Sequence, residues 1–265
     1  MAEDLRALVT GASSGIGEAF ARALRTRGDK LVLVARRGDR LARLAEELGG
    51  AQAALPVTLD LAEPDAAQTL QETLAARGIG IELLVNNAGV GYGGRLLDQP
   101  KERHQAMIDL DVRAVLDLTR TFVPPMVERG HGAVINVVSI SAFQPVPFLA
   151  VYAASKAFVL SLTESLATEL EGTGVAVQAL CPGNIPTEFQ QVAGTSDVRF
   201  NRTPPTSAAE VVDASLRGLQ RRTVIVTPSV KDRMTVAAQA FVPRSWVRRA
   251  AAELFRPPMG RGARR

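Results

Sequence analysis

The 265-residue chain has a single cysteine, Cys181, so it cannot form an internal disulfide. It has no run of 18 apolar residues, and no membrane-spanning helix is expected. The opening Met1-Ala2-Glu3-Asp4 lacks the basic and apolar regions of a secretory leader. These absences lead to the expectation of a soluble cytoplasmic protein with no transmembrane segment. Histidine is also scarce. His104 and His131 are the only two, and neither follows a late strand. Outside the tail, basic charge is not in excess. Of 31 Lys and Arg, seven Arg fall in residues 244–265 beside one Glu, so the formal +4 comes from the tail. A nucleic-acid protein would need that charge clustered on a folded face, so no nucleic-acid partner is expected. The tail reads as a solvated or partner-facing segment. Peripheral contact with an anionic membrane is the alternative, because Arg244, Arg248 and Arg249 flank Trp246 and Val247.

Hydrophobic residues make up 46% of the chain, enough for one large domain. Short apolar runs alternate with stretches of helical spacing. Strands are predicted at residues 5–9, 30–35, 53–58, 82–85, 132–138, 175–180 and 223–226. Helices are predicted at 16–25, 39–48, from Pro64 onward, 101–129, 151–171 and 208–220, with Pro124-Pro125 interrupting the 101–129 stretch. Apolar strands separated by helices imply a parallel sheet covered on both faces. The expected architecture is a single-domain α/β fold, a doubly wound (Rossmann-type) sheet of about seven parallel strands. Ligands of such sheets bind beyond the carboxyl ends of the strands, so the informative residues follow each strand.

Residues 10–17, TGASSGIG, satisfy two patterns. Gly11 to Gly15 fits the G-x-S-x-G elbow of serine hydrolases, whereas Gly11, Gly15 and Gly17 fit a glycine turn that cradles a dinucleotide. The elbow needs an earlier oxyanion loop and a later histidine. Only ten residues precede Gly11, and neither histidine is suitably placed. The turn needs a strand before it and a helix after it, and both are predicted. Ser13, Ser14 and Ile16 then sit where backbone N–H groups point at a pyrophosphate.

With these motifs assembled, the sequence resembles the short-chain dehydrogenase/reductase family. The matching residues are Thr10 to Gly17, Asn86-Asn87-Ala88-Gly89, Ser139, Tyr152 with Lys156 in Y-x-x-x-K, and Pro182 to Thr187 in P-G-x-x-x-T. Their order and spacing match over roughly residues 5–227. The resemblance implies catalytic Ser139, Tyr152 and Lys156. It also implies a nicotinamide dinucleotide held by Gly11, Gly15, Gly17, Asn87, Ala88, Gly89, Pro182, Gly183, Ile185 and Thr187. Asp60 and Leu61 lie near the adenine, although Asp60 also suits a turn-forming role. Thr10 is expected to tie its strand to the Asn86-Asn87 turn. No metal site is implied.

Tyr152 and Lys156 are four apart and share one helix face. A nearby ammonium lowers a phenol's pKa from about 10, which would make Tyr152 a general acid or base. Ser139 can donate to a carbonyl oxygen, with Ser141 as its rival. The second strand ends in Ala35-Arg36-Arg37 with no acid to repel a ribose 2′-phosphate. NADP(H) is therefore expected over NAD(H), with Arg36 binding the phosphate. The alternative is that both arginines are ordinary charges at a helix start.

One position departs from the family. Leu110-Asp111-Val112 stands where the family usually has an Asn that supports the lysine through water. Asp111 either keeps that position and shifts the pH optimum, or points elsewhere. The candidate substrate residues Tyr92, Ser141, Phe148 and Phe189 are mostly apolar or aromatic, which favours an apolar carbonyl or secondary alcohol. Residues 196–201 read as an aperiodic lid. Residues 1–228 form the dinucleotide-binding catalytic unit, and 229–265 a helical extension with a basic tail. Apolar faces at 101–129 and 151–171 suit a homodimer or homotetramer. The rival from another class is a non-catalytic NADP(H)-binding sensor or partner-binding protein.

Overall fold

The computed structural model describes residues 4–239 and 241–257. Among them, one sheet contains seven parallel strands. These are β1 (Asp4–Thr10), β2 (Leu31–Ala35), β3 (Ala54–Thr58), β4 (Ile79–Asn86), β5 (Gly132–Val137), β6 (Val175–Leu180) and β7 (Ile225–Val226). The helices begin with α1 (Gly15–Thr26), α2 (Gly38–Glu47), α3 (Ala66–Ala75), α4 (Lys101–Ile108) and α5 (Ala114–Arg129). They continue with α6 (Ala150–Glu169), α7 (Glu188–Val192), α8 (Ala208–Gln220), α9 (Val230–Gln239) and α10 (Arg244–Phe255).

The strand order is β3-β2-β1-β4-β5-β6-β7. It reverses between β1 and β4, so their carboxyl ends open the crevice that a doubly wound sheet offers to ligands. Neighbouring residues on each strand point to opposite faces, and both faces are apolar. Val9, Leu31 and Leu33 pack with Phe20 and Leu24 of α1, Leu41 of α2 and Val211 of α8. Leu8, Val32 and Val34 pack in the opposite layer, with Leu70 of α3 and Leu118 and Met126 of α5.

Three boundaries differ from the sequence expectation. Strand β4 starts at Ile79, because Ile79 and Ile81 are both buried despite the glycine between them. Pro64 does not open α3, which begins at Ala66. The 101–129 stretch is broken at residues 109–113, a widened π-type turn, and not at Pro124-Pro125. The prolines remove the donors for the Arg120 and Thr121 carbonyls, but those residues lie on the solvent side and water can substitute. Residues 196–201 are tied down: Asn184 Nδ2 donates to the Asn201 and Thr203 carbonyls, at 3.3 and 2.9 Å. The predicted helices between Met234 and Phe255 are α9 and α10, and the basic tail beyond residue 257 lies outside the described residues.

A polar chain crosses the core behind the crevice. Asn86 Nδ2 donates to Asn136 Oδ1 at 2.9 Å, and Asn136 Nδ2 donates to Thr163 Oγ1 at 2.9 Å. All three side chains are buried, so each amide group depends on its partner. Asn136→Ala should leave the Asn86 amide only its 3.5 Å bond to Thr119 Oγ1 and lower the unfolding free energy by about 1–3 kcal/mol. The effect should appear as a lower urea midpoint at an unchanged slope.

Candidate active site

The crevice is built from the loop between β1 and α1. Thr10 Oγ1 donates to the Val85 carbonyl at 3.1 Å and accepts from the Asn87 and Ala88 amides at 2.9 and 3.0 Å. Asn87 Nδ2 returns a bond to the Thr10 carbonyl at 2.9 Å. This latch joins the two strand ends where the sheet order reverses, as the sequence led us to expect for Thr10. Gly11 and Gly15 adopt left-handed φ values of 64° and 60°. A Cβ on Gly17 would sit 2.4 Å from the Gly11 carbonyl oxygen and 2.5 Å from Asn87 Nδ2. Gly17 is thus required for packing beneath the loop. No side chain caps α1, so its first-turn N–H groups remain open to the crevice.

A cavity of about 370 Å³ occupies the crevice. Its wall runs from Gly11, Ser13, Ser14, Gly15 and Ile16 past Arg36, Asp60 and Leu61 to Asn87, Ala88 and Gly89. It continues through Ser139, Ser141, Tyr152 and Lys156 to Pro182, Gly183, Ile185, Thr187 and Phe189. Gly17, Asp111, Tyr92 and Phe148 stand outside this lining. Tyr92 packs against the hydrophobic cluster containing Tyr152, and the Arg103 guanidinium lies 5.2 Å from the centre of its ring. Phe148 carries a left-handed φ of 68° just before Leu149, which does line the cavity.

The floor brings Ser139, Tyr152, Lys156 and Asp111 together. Ser139 follows β5, and its Oγ accepts from the Ser141 amide at 3.1 Å. This bond orients the Ser139 hydroxyl and turns Ser141 into its backbone support. Tyr152 and Lys156 project from the first two turns of α6. Lys156 Nζ donates to the Val137 carbonyl at 3.2 Å and lies 4.0 Å from Asp111 Oδ2. The widened turn at 109–113 buries Asp111 completely and aims it behind Gly89. Its Oδ1 accepts from the Val90 amide at 2.9 Å, while its Oδ2 has no hydrogen-bond donor.

Burial pushes Asp111 up to about 6, against the opposing pull of Lys156 and then of the Val90 amide. Burial also raises the Tyr152 phenol well above its usual value. The charge of Asp111 adds to this, and a hydrogen bond with Ser139 opposes it. This corrects the expectation that Lys156 draws the phenol down. Lys156 Nζ is 5.7 Å from the ring centre and faces a carboxylate that offsets its charge. Tyr152 in this crevice is a protonated donor.

A family model described as short chain dehydrogenase matches residues 6–197. The chain belongs to the short-chain dehydrogenase/reductase family. A short chain dehydrogenase of Pseudocercospora fijiensis is 42% identical over 188 residues, covering 69% of this chain and 60% of that protein. Sulfoacetaldehyde reductase 2 of Chromohalobacter salexigens is 36% identical over 217 residues, covering 78% and 84%. A Sphingobium yanoikuyae short-chain dehydrogenase solved with NADPH has a TM-score of 0.76 at 34% identity, covering 90% and 94%. A Burkholderia phymatum short chain dehydrogenase/reductase solved with NAD has a TM-score of 0.80 at 26% identity, covering 98% and 100%.

This dehydrogenase-family crevice includes residues that sequence reasoning did not assign. Arg37 Nη2 donates to Ser13 and Ser14 Oγ at 3.0 and 2.7 Å, fastening α2 to the glycine loop. Glu188 of α7 accepts from Arg37 and Arg40, each at 2.7 Å. The two ends of the Arg37–Glu188 pair are 151 positions apart, so no local spacing rule could find it. Phe255 of α10 lines the cavity and stacks on Phe200 at 4.7 Å. Asn86, half of the N-N motif, faces the core and not the crevice.

Asp111 sets a pH dependence. Its folded pKa lies above its unfolded value, so its contribution to stability is full below about pH 4 and is lost as pH rises through about 6. Asp111→Asn removes that loss. The melting temperature of the variant, relative to the parent protein, should therefore be higher at pH 8 than at pH 5. An equal difference at both pH values would show that Asp111 does not titrate across this range.

Proposed function

We propose that this chain is an NADP(H)-dependent oxidoreductase that interconverts a carbonyl and a secondary alcohol on a mostly apolar small molecule. The observation that carries the reading is the convergence of Ser139, Tyr152 and Lys156 on one cavity floor. The dinucleotide cradle fits its ligand class. Its glycines leave the loop backbone bare, the α1 N–H groups are open, and a Cβ at Gly89 would fall 3.1 Å from Asp111 Oδ1 and 3.3 Å from Lys156 Nζ. When bound, the nicotinamide supplies or accepts the hydride.

The chain's own residues do the rest. Tyr152 gives its phenolic proton to the carbonyl oxygen during reduction and takes it back during oxidation. The Ser139 hydroxyl holds that oxygen beside the phenol. Lys156 would hold the ribose of the nicotinamide half, and Asp111 lies behind the lysine at 4.0 Å. Thr187 would hold the carboxamide, and Asp60 and Leu61 would border the adenine.

Both dinucleotides occur among the solved relatives, so the NADP(H) preference rests on this chain's own side chains. Arg36 is 64% exposed in its side chain and only loosely paired, 3.7 Å from Asp60 Oδ2. Ala35 ends β2 where a carboxylate would repel a 2′-phosphate. An apolar substrate fits the Phe189 ring, centred 5.2 Å from that of Tyr152, and the Phe200–Phe255 stack nearby. Ile108 and Phe158 remain exposed on the helices expected to pair two copies, and a homodimer through them belongs to the same reading.

Two measurements test the proposal. Tyr152→Phe should lower turnover of a ketone and aldehyde panel with NADPH by about 10²–10⁴-fold while dinucleotide binding persists. Binding without turnover by the parent protein across that panel would favour the sensor reading instead. Arg36→Asp should lower the ratio of kcat/KM with NADPH to that with NADH by about 10–100-fold. A parent protein that clearly prefers NADH would overturn the cofactor assignment.

A further inference from the structure

The function above leaves α9 and α10 unused except for Phe255. We propose that their outer face docks the protein on an anionic lipid surface. Helix α9 turns Asp232 and Val236 inward and leaves Val230 and Met234 exposed at helical spacing, 60% and 68%. The stripe continues to Phe241, 90% exposed at the turn between the two helices. Helix α10 repeats the arrangement. Ala251 and Phe255 face the protein, while Trp246, 66% exposed, faces out. Bulky apolar groups clustered on one surface mark an interaction site.

The charge on this face selects the partner. Arg249 shares the outer side of α10 with Trp246, Arg233 flanks the exposed side of α9, and Arg244 and Arg248 are exposed on the line of α10 that carries Ala251 and Phe255; among the described residues no carboxylate holds any of the four. The acids nearby are already engaged: Asp232 sits against Gly183, and Glu253 pairs with Arg256 at 2.9 Å. The sequence beyond adds Arg261, Arg264 and Arg265. A second copy is a poor occupant, because a twofold contact would bring the same arginines face to face. A lipid surface accepts both components, with aromatic and aliphatic groups entering the headgroup boundary and arginines meeting anionic phosphates. The inner side of α10 forms part of the cavity wall through Phe255, so the docked face adjoins the cavity. Delivery of an apolar substrate from the lipid rests on the function proposed above. Docking itself does not.

Trp246 is the only tryptophan in the chain, so its emission reports on this face alone. The full chain should be titrated with phosphatidylcholine vesicles and with vesicles containing about a quarter phosphatidylglycerol. The expected result is a blue shift and protection from acrylamide with anionic vesicles only, reversed at about 0.5 M salt. The double change Arg233→Gln and Arg249→Gln should weaken partitioning about fivefold per charge removed. Phe241→Ser should also weaken it, with no change in oligomeric state by light scattering. Unchanged emission with the protein left in the supernatant after sedimentation overturns the proposal. So does equal binding to neutral vesicles. Failure to bind vesicles, combined with a dimer that Phe241→Ser dissociates, would assign the face to a second copy. None of these readouts requires turnover, so failure here is distinct from failure of the catalytic reading.

Discussion

Thr10 and Asn87 meet at the centre of the sheet, across the gap where its strand order reverses. Their hydrogen bonds fix the end of β1 against the end of β4, and Gly17 lies directly beneath with no space for a side chain. This close approach lets the backbone of the glycine loop form one wall of the crevice. A methyl group at Gly17 would push α1 away from Asn87 and open the latch. The serine hydroxyls in that loop accept from the Arg37 guanidinium. They have no histidine to make either of them a nucleophile.

On the other side of the crevice, electrostatics replaces sterics as the governing constraint. A buried carboxylate is costly unless it is paired and hydrogen-bonded. Asp111 has one amide donor, one lysine at the limit of an ion pair, and one oxygen without a donor. The fold tolerates it by widening one helical turn, which points the carboxylate at the lysine. The result reaches Tyr152, whose phenol is in a dry setting near a negative charge and keeps its proton. Three side chains from two helices therefore share one balance of charge.

Much of this was legible in the chain itself. The strand ends carry the motifs, and Thr10, Asn87, Ser139, Tyr152 and Lys156 meet because a doubly wound sheet brings its carboxyl ends together. The misreadings have specific causes. Gly80 hid the first part of β4, because a period-two pattern loses its signal at a residue without a side chain. Pro124 and Pro125 suggested a break, yet the carbonyls they leave without donors face solvent. The actual break at 109–113 has no proline or glycine to announce it, and it carries Asp111, which sits behind Gly89 near Lys156. Arg37 could be taken for a helix-start charge until Ser13, Ser14 and Glu188 were found around it.

The sequence alone determined the alternation of strands and helices, the parallel sheet, the family and the motif residues at the strand ends. These follow from periodicity and spacing, which are properties of neighbours along the chain. The tertiary structure decided that burial and the charge of Asp111 raise the tyrosine's pKa, that Asp111 lies 4.0 Å from the lysine, and that Phe255 from the last described helix lines the cavity. Burial and Coulomb interactions depend on distances through space, between residues far apart in the chain.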